Sequence, residues 1–438
     1  MCATPLCSVG AAQPIFAAIG SIAAHCEDIM DDAGKPLPSG LQLSGLDPEF
    51  CERPHPILDD LRVRAPRHRH EFGLFVTTQA DGRAALVDPK LSRDPRKAPE
   101  DAFSRLVLPP EIARGERPAN MLWLDEPEHG VNRGLVQPAF FKRCGGMRQR
   151  ISAIVDELLD EIERKRNFDG IDDFGVPLPI YVIADILGLP RSDLPLFRRR
   201  SFLVANLGLT PFRTPEQEAL RAEQDAALEA YFLEVIAERR AAPRDDLISD
   251  LIAARHEGQA LSDGELVSIC FLLLLAGNLT TTDMLAHGIV ELLEHPEQAA
   301  KLRADPALAR SAVEEILRYE PPVRAAGRHS NISQEVLGCP VAAGQSVGVS
   351  LQACNRDPAV FDDPHAFRID RQKNEHLSFG GGAHQCLGAP LARLEGEIAL
   401  RTLFSRFPHL RLSEGRPPRR PSFAFNTYER LPLSIDPA

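Results

Sequence analysis

One decapeptide near the carboxyl end of the chain combines residue types that suit a metal ligand. Residues 379–388 read FGGGAHQCLG. Glycines allow positive φ angles and let a backbone pass close to a large flat ligand. Cys386 is flanked by Gly382 and Gly388, so its thiolate could bind a metal while backbone N–H groups point at the sulfur. The segment therefore predicts a loop that presents one thiolate to a metal.

Residue types alone leave plainer interpretations of this loop open. A run of three glycines is most often a flexible turn, and a lone buried cysteine often acts as a small hydrophobic residue. The loop lacks the second nearby cysteine of zinc and iron–sulfur sites and the Lys-Ser/Thr of a phosphate-binding loop. An axial thiolate is the metal-binding interpretation that remains.

The decapeptide matches the pattern Phe-Gly-x-Gly-x-His-x-Cys-x-Gly at every fixed position. It thereby resembles the cytochrome P450 family of haem-thiolate monooxygenases, and residues 389–400 resemble the helix that follows the cysteine in that family. The resemblance implies haem b as the cofactor and Cys386 as the iron ligand. It also implies that Phe379, Gly380 and Gly388 contact the cofactor.

A long apolar helix candidate carries the second motif. Ser262 and Glu265 form a capping box at its start, and it runs to about residue 294. AGNLTTT, residues 276–282, lies in its middle. Glycine costs about 1 kcal/mol relative to alanine in a helix interior, so we expect a reason other than helix stability for Gly277. A plainer alternative is that Thr280 bonds back to a carbonyl one turn earlier.

This segment resembles the family's oxygen-binding motif, Ala/Gly-Gly-x-Asp/Glu-Thr-Thr. The resemblance implies that Thr280 hydrogen-bonds dioxygen and helps to deliver protons. Leu279 stands where the family has an acid, and leucine cannot relay protons. We therefore expect water, Asn278 or another group to relay them, or product formation to be poorly coupled to reductant. The positions implied to act in catalysis or to border the haem are Ala276, Gly277, Asn278, Thr280 and Thr281.

Glu315 and Arg318 can pair on one face of a further helix. Glu161/Arg164 and Glu218/Arg221 have the same spacing, so spacing alone carries little information. The first pair, however, follows the threonine helix and precedes Cys386 by 71 residues. It resembles the family's Glu-x-x-Arg, which implies a structural role behind the cysteine loop.

Basic residues are expected to bind the haem propionates, which are carboxylates. His129 and Arg133 are spaced i, i+4 on a helix candidate, although this arrangement is also common on plain surface helices. Similarly, His384 could be only a hydrogen-bonding residue of its loop. The resemblance implies that His129, Arg133, Arg328 and His384 are the propionate partners.

Composition excludes several classes of partner. The chain has 438 residues and a net charge of −12, which argues against nucleic acid or an anionic membrane as its general partner. Nine scattered cysteines suit a reducing compartment. The apolar stretch at 14–24 is too short for the ~20 residues of a membrane span. We expect a soluble, cytoplasmic monomer.

Helical periodicity dominates the pattern. An apolar stripe at 151–162 and a run at 216–240 predict helices. Strands are predicted at 74–78, with a turn at Ala-Asp-Gly-Arg, around 335–350 and after 421. This indicates a mainly α protein. The resemblance implies a single α-rich prism with small β-sheets and a long central helix over the haem, formed by residues 46–438. Residues 1–45 are rich in Ala, Gly, Pro and Ser, and we expect them to be a partly disordered extension.

The implied reaction inserts one atom of O2 into a small hydrophobic substrate. Two electrons would come from a separate ferredoxin and its reductase. The basic segment 142–150 with Arg393 is either a docking patch for that donor or a solvated helix connection. Pocket walls are expected from loops 100–121 and 202–213 and from Leu275, Val323, Ala325, Ala326 and Phe425. Alternatives are a peroxide-driven or non-oxygenase haem-thiolate enzyme and a non-catalytic haem sensor.

Overall fold

The computed structural model describes residues 30–436, apart from 32, 196, 199–202 and 204–211. The structure is 54% helical with small sheets. This confirms the mainly α prediction.

The central helix, Asp263–Glu294, begins as its capping box predicts. The Ser262 hydroxyl accepts a hydrogen bond from the Glu265 N–H at 3.3 Å, and the Glu265 carboxylate accepts one from the Ser262 N–H at 2.8 Å. By length and composition this helix is the one candidate for a membrane span in the described part of the chain. Half of its apolar window is buried inside the protein, as is typical of a core helix.

Several of the other helices pack directly on the central helix. The predicted stripe at 151–162 faces the core from the helix Met147–Lys165, and the run at 216–240 forms Pro215–Ala241. The further described α-helices are Pro48–Glu52, Pro54–Arg64, Gln79–Val87, Pro110–Ala113, Glu128–Cys144, Pro177–Leu187, Leu247–Ala253, Pro296–Ala304, Ala309–Tyr319, Leu351–Cys354 and Ala389–Arg406.

The largest sheet has four strands in the order Arg67–His70, Gly73–Val76, Ser346–Ser350 and Ala325–His329. Its middle pair is parallel and its outer pairs are antiparallel. The small sheets pair Gln334–Val336 with Cys339–Val341, Arg419–Arg420 with Thr427–Tyr428, and Pro432–Ser434 with both Asn167–Asp169 and Arg411–Leu412. Strands therefore occur in each of the three predicted regions.

The predicted turn at residues 80–83 is wrong, because these residues lie inside the helix Gln79–Val87. The Thr78 hydroxyl caps this helix by accepting a hydrogen bond from the Asp81 N–H. A Cβ at Gly82 would lie 2.8 Å from Cys354 Sγ and 2.9 Å from Val349 Cγ1. The glycine therefore serves close packing on the sheet, and this need cannot be read from a local Asp-Gly pair.

The expected extension 1–45 falls largely outside the described residues. Its last part packs on the sheet: Leu43 is buried in a cluster with Phe50 and Phe75. The N–H groups of Gly40 and Leu41 donate to the Glu71 carboxylate at 2.8 and 3.1 Å. Residues just before position 46 therefore make tertiary contacts with the body of the protein.

Close packing at Gly288 of the central helix leads to a stability prediction. A Cβ there would lie 2.8 Å from Ile316 Cδ1 and 3.2 Å from Leu400 Cδ1. We expect Gly288→Ala to lower the free energy of unfolding by about 1–3 kcal/mol, because an overpacked core has to shift. Chemical denaturation measures this. Gly145→Ala is the control, since a Cβ at Gly145 meets no atom closer than 3.6 Å; equal stability of the two variants would contradict the prediction.

Candidate active site

The glycine-rich decapeptide folds as a tight loop that ends at Cys386. Gly380 and Gly382 have φ angles of 70° and 67°, which side chains other than hydrogen rarely allow. The Cys386 N–H donates to the Phe379 carbonyl at 2.9 Å and closes the loop. A Cβ on Gly382 would approach the Leu86 carbonyl to 3.1 Å. The loop conformation thus depends on glycine at both positions.

Cys386 lies at the amino end of the helix Ala389–Arg406 and keeps an exposed side. The surrounding protein raises the pKa of its thiol by desolvation. The N–H groups of Gly388 and Ala389 and the charge of Arg133 oppose that rise. Amide groups at a helix amino end favour a thiolate. The sulfur is therefore set up to become an anion once a positive partner such as a metal is present.

The Glu315–Arg318 pair lies behind this loop and is fully buried, with both side chains at 0% exposure. Two parallel hydrogen bonds of 2.8 Å join the two groups. Arg318 also donates to the carbonyls of Asn355, Pro364 and Ala366. Glu315 in turn accepts from Arg368, Arg371 and Asn374. The pair therefore fixes the chain segment that leads into the cysteine loop.

A second contact joins the helix Ala309–Tyr319, which also carries Glu315, to residues on both sides of the cysteine loop. The Glu314 carboxylate accepts hydrogen bonds from His376 at 3.1 Å and from Arg393 at 2.6 and 2.9 Å. Against the effect of burial, these two partners lower the pKa of Glu314 to about 2. The Arg393 guanidinium lies 4.5 Å from the centre of the Phe379 ring. Phe379, the first residue of the loop, thus lies beside this ion pair.

The predicted propionate partners converge on the other side of the loop. The rings of His129 and His384 lie 4.1 Å apart. Arg133 donates to the Ala383 carbonyl at 3.0 Å, and Arg328 donates to the Leu86 carbonyl at 3.0 Å. The tertiary structure brings all four basic residues to one region.

Arg93 belongs to the same cluster, although sequence reasoning missed it. Its guanidinium donates to the Gly327 carbonyl at 2.7 Å, and its buried Nε has no partner among the described residues. Burial and the charge of Arg328 lower the pKa of Arg93 to about 9. Burial, followed by the neighbouring basic groups, lowers the pKa of His384 to about 3. Crowded cations and a buried free donor fit an anionic ligand, so these residues suit the two carboxylates of the expected cofactor.

The threonine motif lies within an uninterrupted stretch of the central helix. The Thr280 hydroxyl donates to the Ala276 carbonyl at 2.7 Å, which is the back-bonded alternative, and both residues line a cavity. The helix is continuous at Gly277 in this structure. Asn278 and Thr281 are buried at 5% and 3% exposure and lie outside the cavity wall.

The cavity beside Thr280 has an empty volume of about 1060 Å³, which includes its open side. Segment 107–123, the central helix and Phe425 form its walls, and Leu275 and Ala276 take part as expected. Val323 instead packs against Leu279 and Phe425.

Ala325 and Ala326 lie away from the cavity wall. Ala325 packs with the cluster around Phe75, and Ala326 with the cluster around Val347. Adjacent strand residues point to opposite faces, so the two side chains do not face one side together. Of the predicted loop 202–213, residues 202 and 204–211 lie outside the described part of the chain.

One end of the cavity carries charges that the sequence did not indicate. Arg117, Arg221, Asp225 and Glu229 line it. Arg221 is 1% exposed and pairs with Asp225, Glu111 and Glu218. Burial raises the pKa of Asp225 to about 6. The cavity is therefore apolar near Thr280 and polar at its far end.

The basic segment 142–150 is neutralised by acids from distant parts of the chain. Lys142 and Arg143 pair with Asp250. The remaining pairs are Arg143–Asp245, Arg148–Glu397, Arg150–Asp185 and Arg393–Glu314. The segment behaves as a paired helix connection and presents little free positive charge.

The comparisons agree with this geometry. The family model described as cytochrome P450 matches residues 198–430. The chain is 36% identical over 400 residues to the biotin biosynthesis cytochrome P450 of Bacillus subtilis, covering 89% of this chain and 98% of that protein. It is 38% identical over 362 residues to the 6-deoxyerythronolide B hydroxylase of Saccharopolyspora erythraea, covering 81% and 88%.

Solved structures show the same fold. A P450BioI structure, in complex with an acyl carrier protein ligated to hexadec-9Z-enoic acid, has a TM-score of 0.80, 33% identity and coverage of 89% of this chain and 99% of that one. A myxobacterial cytochrome P450 in complex with myristic acid has a TM-score of 0.84, 36% identity and coverage of 91% and 100%. With the cysteine loop, its supporting ion pair and the helix-rich fold, these relatives show that the chain belongs to the cytochrome P450 family of monooxygenases.

Proposed function

We propose that this protein hydroxylates a small hydrophobic organic molecule with O2 and two electrons from a separate ferredoxin and its reductase. The observation that carries the proposal is the apolar cavity beside Thr280. Residues 46–438 would form the catalytic domain of a cytoplasmic monomer. The cofactor would be haem b.

Each group of site residues has a distinct role in this proposal. Cys386 would ligate the iron, and Arg93, His129, Arg133, Arg328 and His384 would hold the propionates. The haem, when bound, supplies the activation of dioxygen. Thr280 can turn its hydroxyl away from the Ala276 carbonyl and hold a proton there. The end of the cavity at Thr280 is therefore its reaction side. Apolar walls exclude water from that position.

The cavity favours a substrate with a hydrophobic body. Val267, Phe271 and Leu272 line it together with Leu275, whereas the charged groups lie at the far end. Solved relatives are in complex with myristic acid and with corticosterone. Both ligands are hydrophobic molecules that carry polar groups, and a substrate of this kind would suit the cavity.

The source of electrons is tested by comparing three reactions of the haem-loaded protein. Substrate candidates are first selected by their effect on the haem spin-state spectrum. The protein is then supplied with a ferredoxin system and NAD(P)H, with hydrogen peroxide, or with neither. We expect hydroxylated product with the ferredoxin system. Absence of product there, despite a reduced ferredoxin, would contradict the proposal.

A peroxide-driven reaction is the second candidate, and Leu279 favours it. Peroxide brings two electrons and two protons with its oxygen, so that RH and H2O2 give ROH and H2O. A reaction of this type does not need the acid that Leu279 replaces. Product with peroxide alone would support the second candidate.

Arg93 provides a test of the propionate cluster. We expect Arg93→Gln to weaken haem retention by about 10–100-fold, because a hydrogen bond to a charged group contributes about 1.5–3 kcal/mol. The rate of haem transfer to an excess of apomyoglobin measures retention. Arg83→Gln is the control, because Arg83 is 53% exposed and pairs only loosely with Glu375, at 3.7 Å. Equal transfer from both variants would exclude Arg93 from the cluster.

A further inference from the structure

Three titratable side chains lie buried in a row on the central helix. Asp283, His287 and Glu291 have exposures of 1%, 0% and 1%. Their spacing of i, i+4 and i+8 places them on one helix face, one turn apart. Strand Thr427–Tyr428 and Asn426 pack along this face. Ionisable groups are rarely fully buried unless they are paired, so the row calls for an explanation.

Asp283 occupies the inner end of the row. Neither carboxylate oxygen has a hydrogen bond of ordinary geometry to a described residue. Burial raises the pKa of Asp283 to about 7, although the nearby Thr427 hydroxyl and the charges of Arg420 and Arg324 act in the opposite direction. A carboxyl group with such a pKa can both hold and release a proton near neutral pH.

His287 is the middle member of the row. Its Nε2 lies 2.7 Å from the Asn426 carbonyl, an acceptor, so Nε2 carries the proton and Nδ1 is left with a lone pair. Nδ1 is buried and has no partner among the described residues. Burial and Arg419 lower the pKa of His287 to about 3, although Glu320 acts in the opposite direction. The one N–H of the neutral ring is thus held by a backbone carbonyl, and only Nδ1 is open, as an acceptor.

Glu291 connects the row to the surface. Its carboxylate accepts a hydrogen bond from Arg416 at 2.9 Å and lies 3.7 Å from His295 Nδ1. Burial and Glu320 raise the pKa of Glu291. Arg416 also donates to the Tyr428 hydroxyl at 3.3 Å, and the Tyr428 ring lies 4.8 Å from that of His287. Arg416 is 39% exposed and His295 31%, so this end reaches solvent.

The inner end lies beside the reaction side of the cavity. Asp283 follows Thr280 by three residues and Leu279 by four, so it is one turn from both. Leu279 and Phe425 line the cavity and pack together. Asn426, which bonds His287, directly follows Phe425 in the chain. The buried polar row therefore lies next to the part of the cavity wall that Leu279 and Phe425 form.

We propose that Asp283, His287 and Glu291 form a proton-transfer row from the surface at Arg416 to the reaction side at Thr280, with Asp283 as the inner donor. No hydrogen bond joins Asp283 to His287, so ordered water held by their open polar atoms carries the proton between the groups. The row takes the place of the acid that is missing at position 279. The inference rests on the proposed function, whose balance is RH, O2, two electrons and two protons giving ROH and H2O. The reductase system supplies the electrons, and the row supplies the protons.

The test compares Asp283→Asn with the parent protein, both loaded with haem. Asparagine has nearly the same shape but cannot donate a carboxyl proton. We expect product per NAD(P)H to fall about tenfold or more, in keeping with the usual contribution of a positioned acid. Hydrogen peroxide should form in the amount that accounts for the electrons missing from the product. O2 that takes up two electrons and two protons without insertion leaves as H2O2. The solvent deuterium isotope effect on product formation should rise.

Rescue separates proton transfer from a structural role. In the Asp283→Asn background, Leu279→Asp should restore most of the coupling, because it returns a carboxyl group to the turn beside Thr280. Asp263→Asn is the control, as Asp263 lies at the opposite, exposed end of the same helix. Unchanged coupling in Asp283→Asn, or failure of the rescue in a folded protein, would overturn the proposal.

A second readout does not depend on turnover. The pKa of Asp283 is about 7 in the fold against an ordinary value of 3.8, so the folded protein holds a proton that the unfolded chain releases between these values. The parent therefore loses stability as pH rises from about 4 to about 7, and Asp283→Asn escapes this part of the loss. The difference between their melting temperatures should grow in favour of the variant across that window and then level off. A constant difference would contradict the assignment of Asp283 as the buried acid.

The two readouts also separate the inference from the proposed function. A parent protein that consumes reductant and forms product, with unchanged coupling in Asp283→Asn, overturns the proton-transfer row alone. A parent protein that forms no product with any electron source overturns the proposed function. The row then has no reaction to serve and the inference falls with it, even where the pH-dependent stability difference persists.

Discussion

Cys386→Ala is expected to abolish the thiolate-type carbon monoxide spectrum of the reduced protein. The sulfur lies at the amino end of the helix Ala389–Arg406, where the Gly388 and Ala389 N–H groups favour its ionised form. Alanine removes the ligand without filling the loop. The shifted Soret band should disappear, and hydroxylation should fall to background. The ferrous–carbon monoxide difference spectrum of the purified protein measures this change.

Cys144→Ala is the matched control for this experiment. Cys144 is a second cysteine near the same helix, where burial and Glu395 raise its thiol pKa to about 12. It therefore stays protonated and should not ligate iron, so its removal should leave the spectrum unchanged. A thiolate-type band that survives in Cys386→Ala would show that another residue is the ligand.

Glu315→Gln should destabilise the protein more than any other single change of an ion pair considered above. The Glu315 carboxylate meets both Arg318 and Arg371 in a region without solvent access. Removal of one partner of a buried ion pair costs about 3–5 kcal/mol, because the remaining charge is left uncompensated. The denaturation midpoint should fall accordingly, and little haem-loaded protein should accumulate.

Glu161→Gln supplies the comparison, because Glu161 and Arg164 have the same i, i+3 spacing on the helix Met147–Lys165. Glu161 is exposed, and an exposed pair contributes only about 0–1 kcal/mol. Its denaturation midpoint should stay close to that of the parent. Similar losses in both variants would mean that burial does not set the contribution of Glu315.

Charged surface segments show the limits of local reasoning in this chain. Segment 142–150 is basic in sequence and was one candidate for a donor-docking patch. Asp250 and Glu397 reach Lys142, Arg143 and Arg148 from segments more than 100 residues away. A sequence displays the sign of each charge, but only the folded chain decides which acids neutralise it.

The sequence by itself determined the features that depend on nearby residues. The capping box of Ser262 and Glu265, the apolar stripe at 151–162 and the glycines of the cysteine loop act within a few residues, so their effects are visible in the linear pattern. Family motifs extended this to the proposed cysteine site and to the Glu315–Arg318 pair. The fold class and the order of the motifs therefore followed from the chain alone.

Only the tertiary structure decided the features that need distant segments. The local Ala-Asp-Gly-Arg sequence predicted a turn at Gly82, because a local pattern cannot show that Gly82 packs against Cys354. Arg93 joins the basic cluster without any motif of its own. The spacing of Asp283, His287 and Glu291 is present in the sequence, but an ordinary exposed helix face would look the same. Their burial depends on segment 426–428, and the bond from His287 to Asn426 spans 139 residues; burial is a property of the assembled layers, which no local pattern encodes.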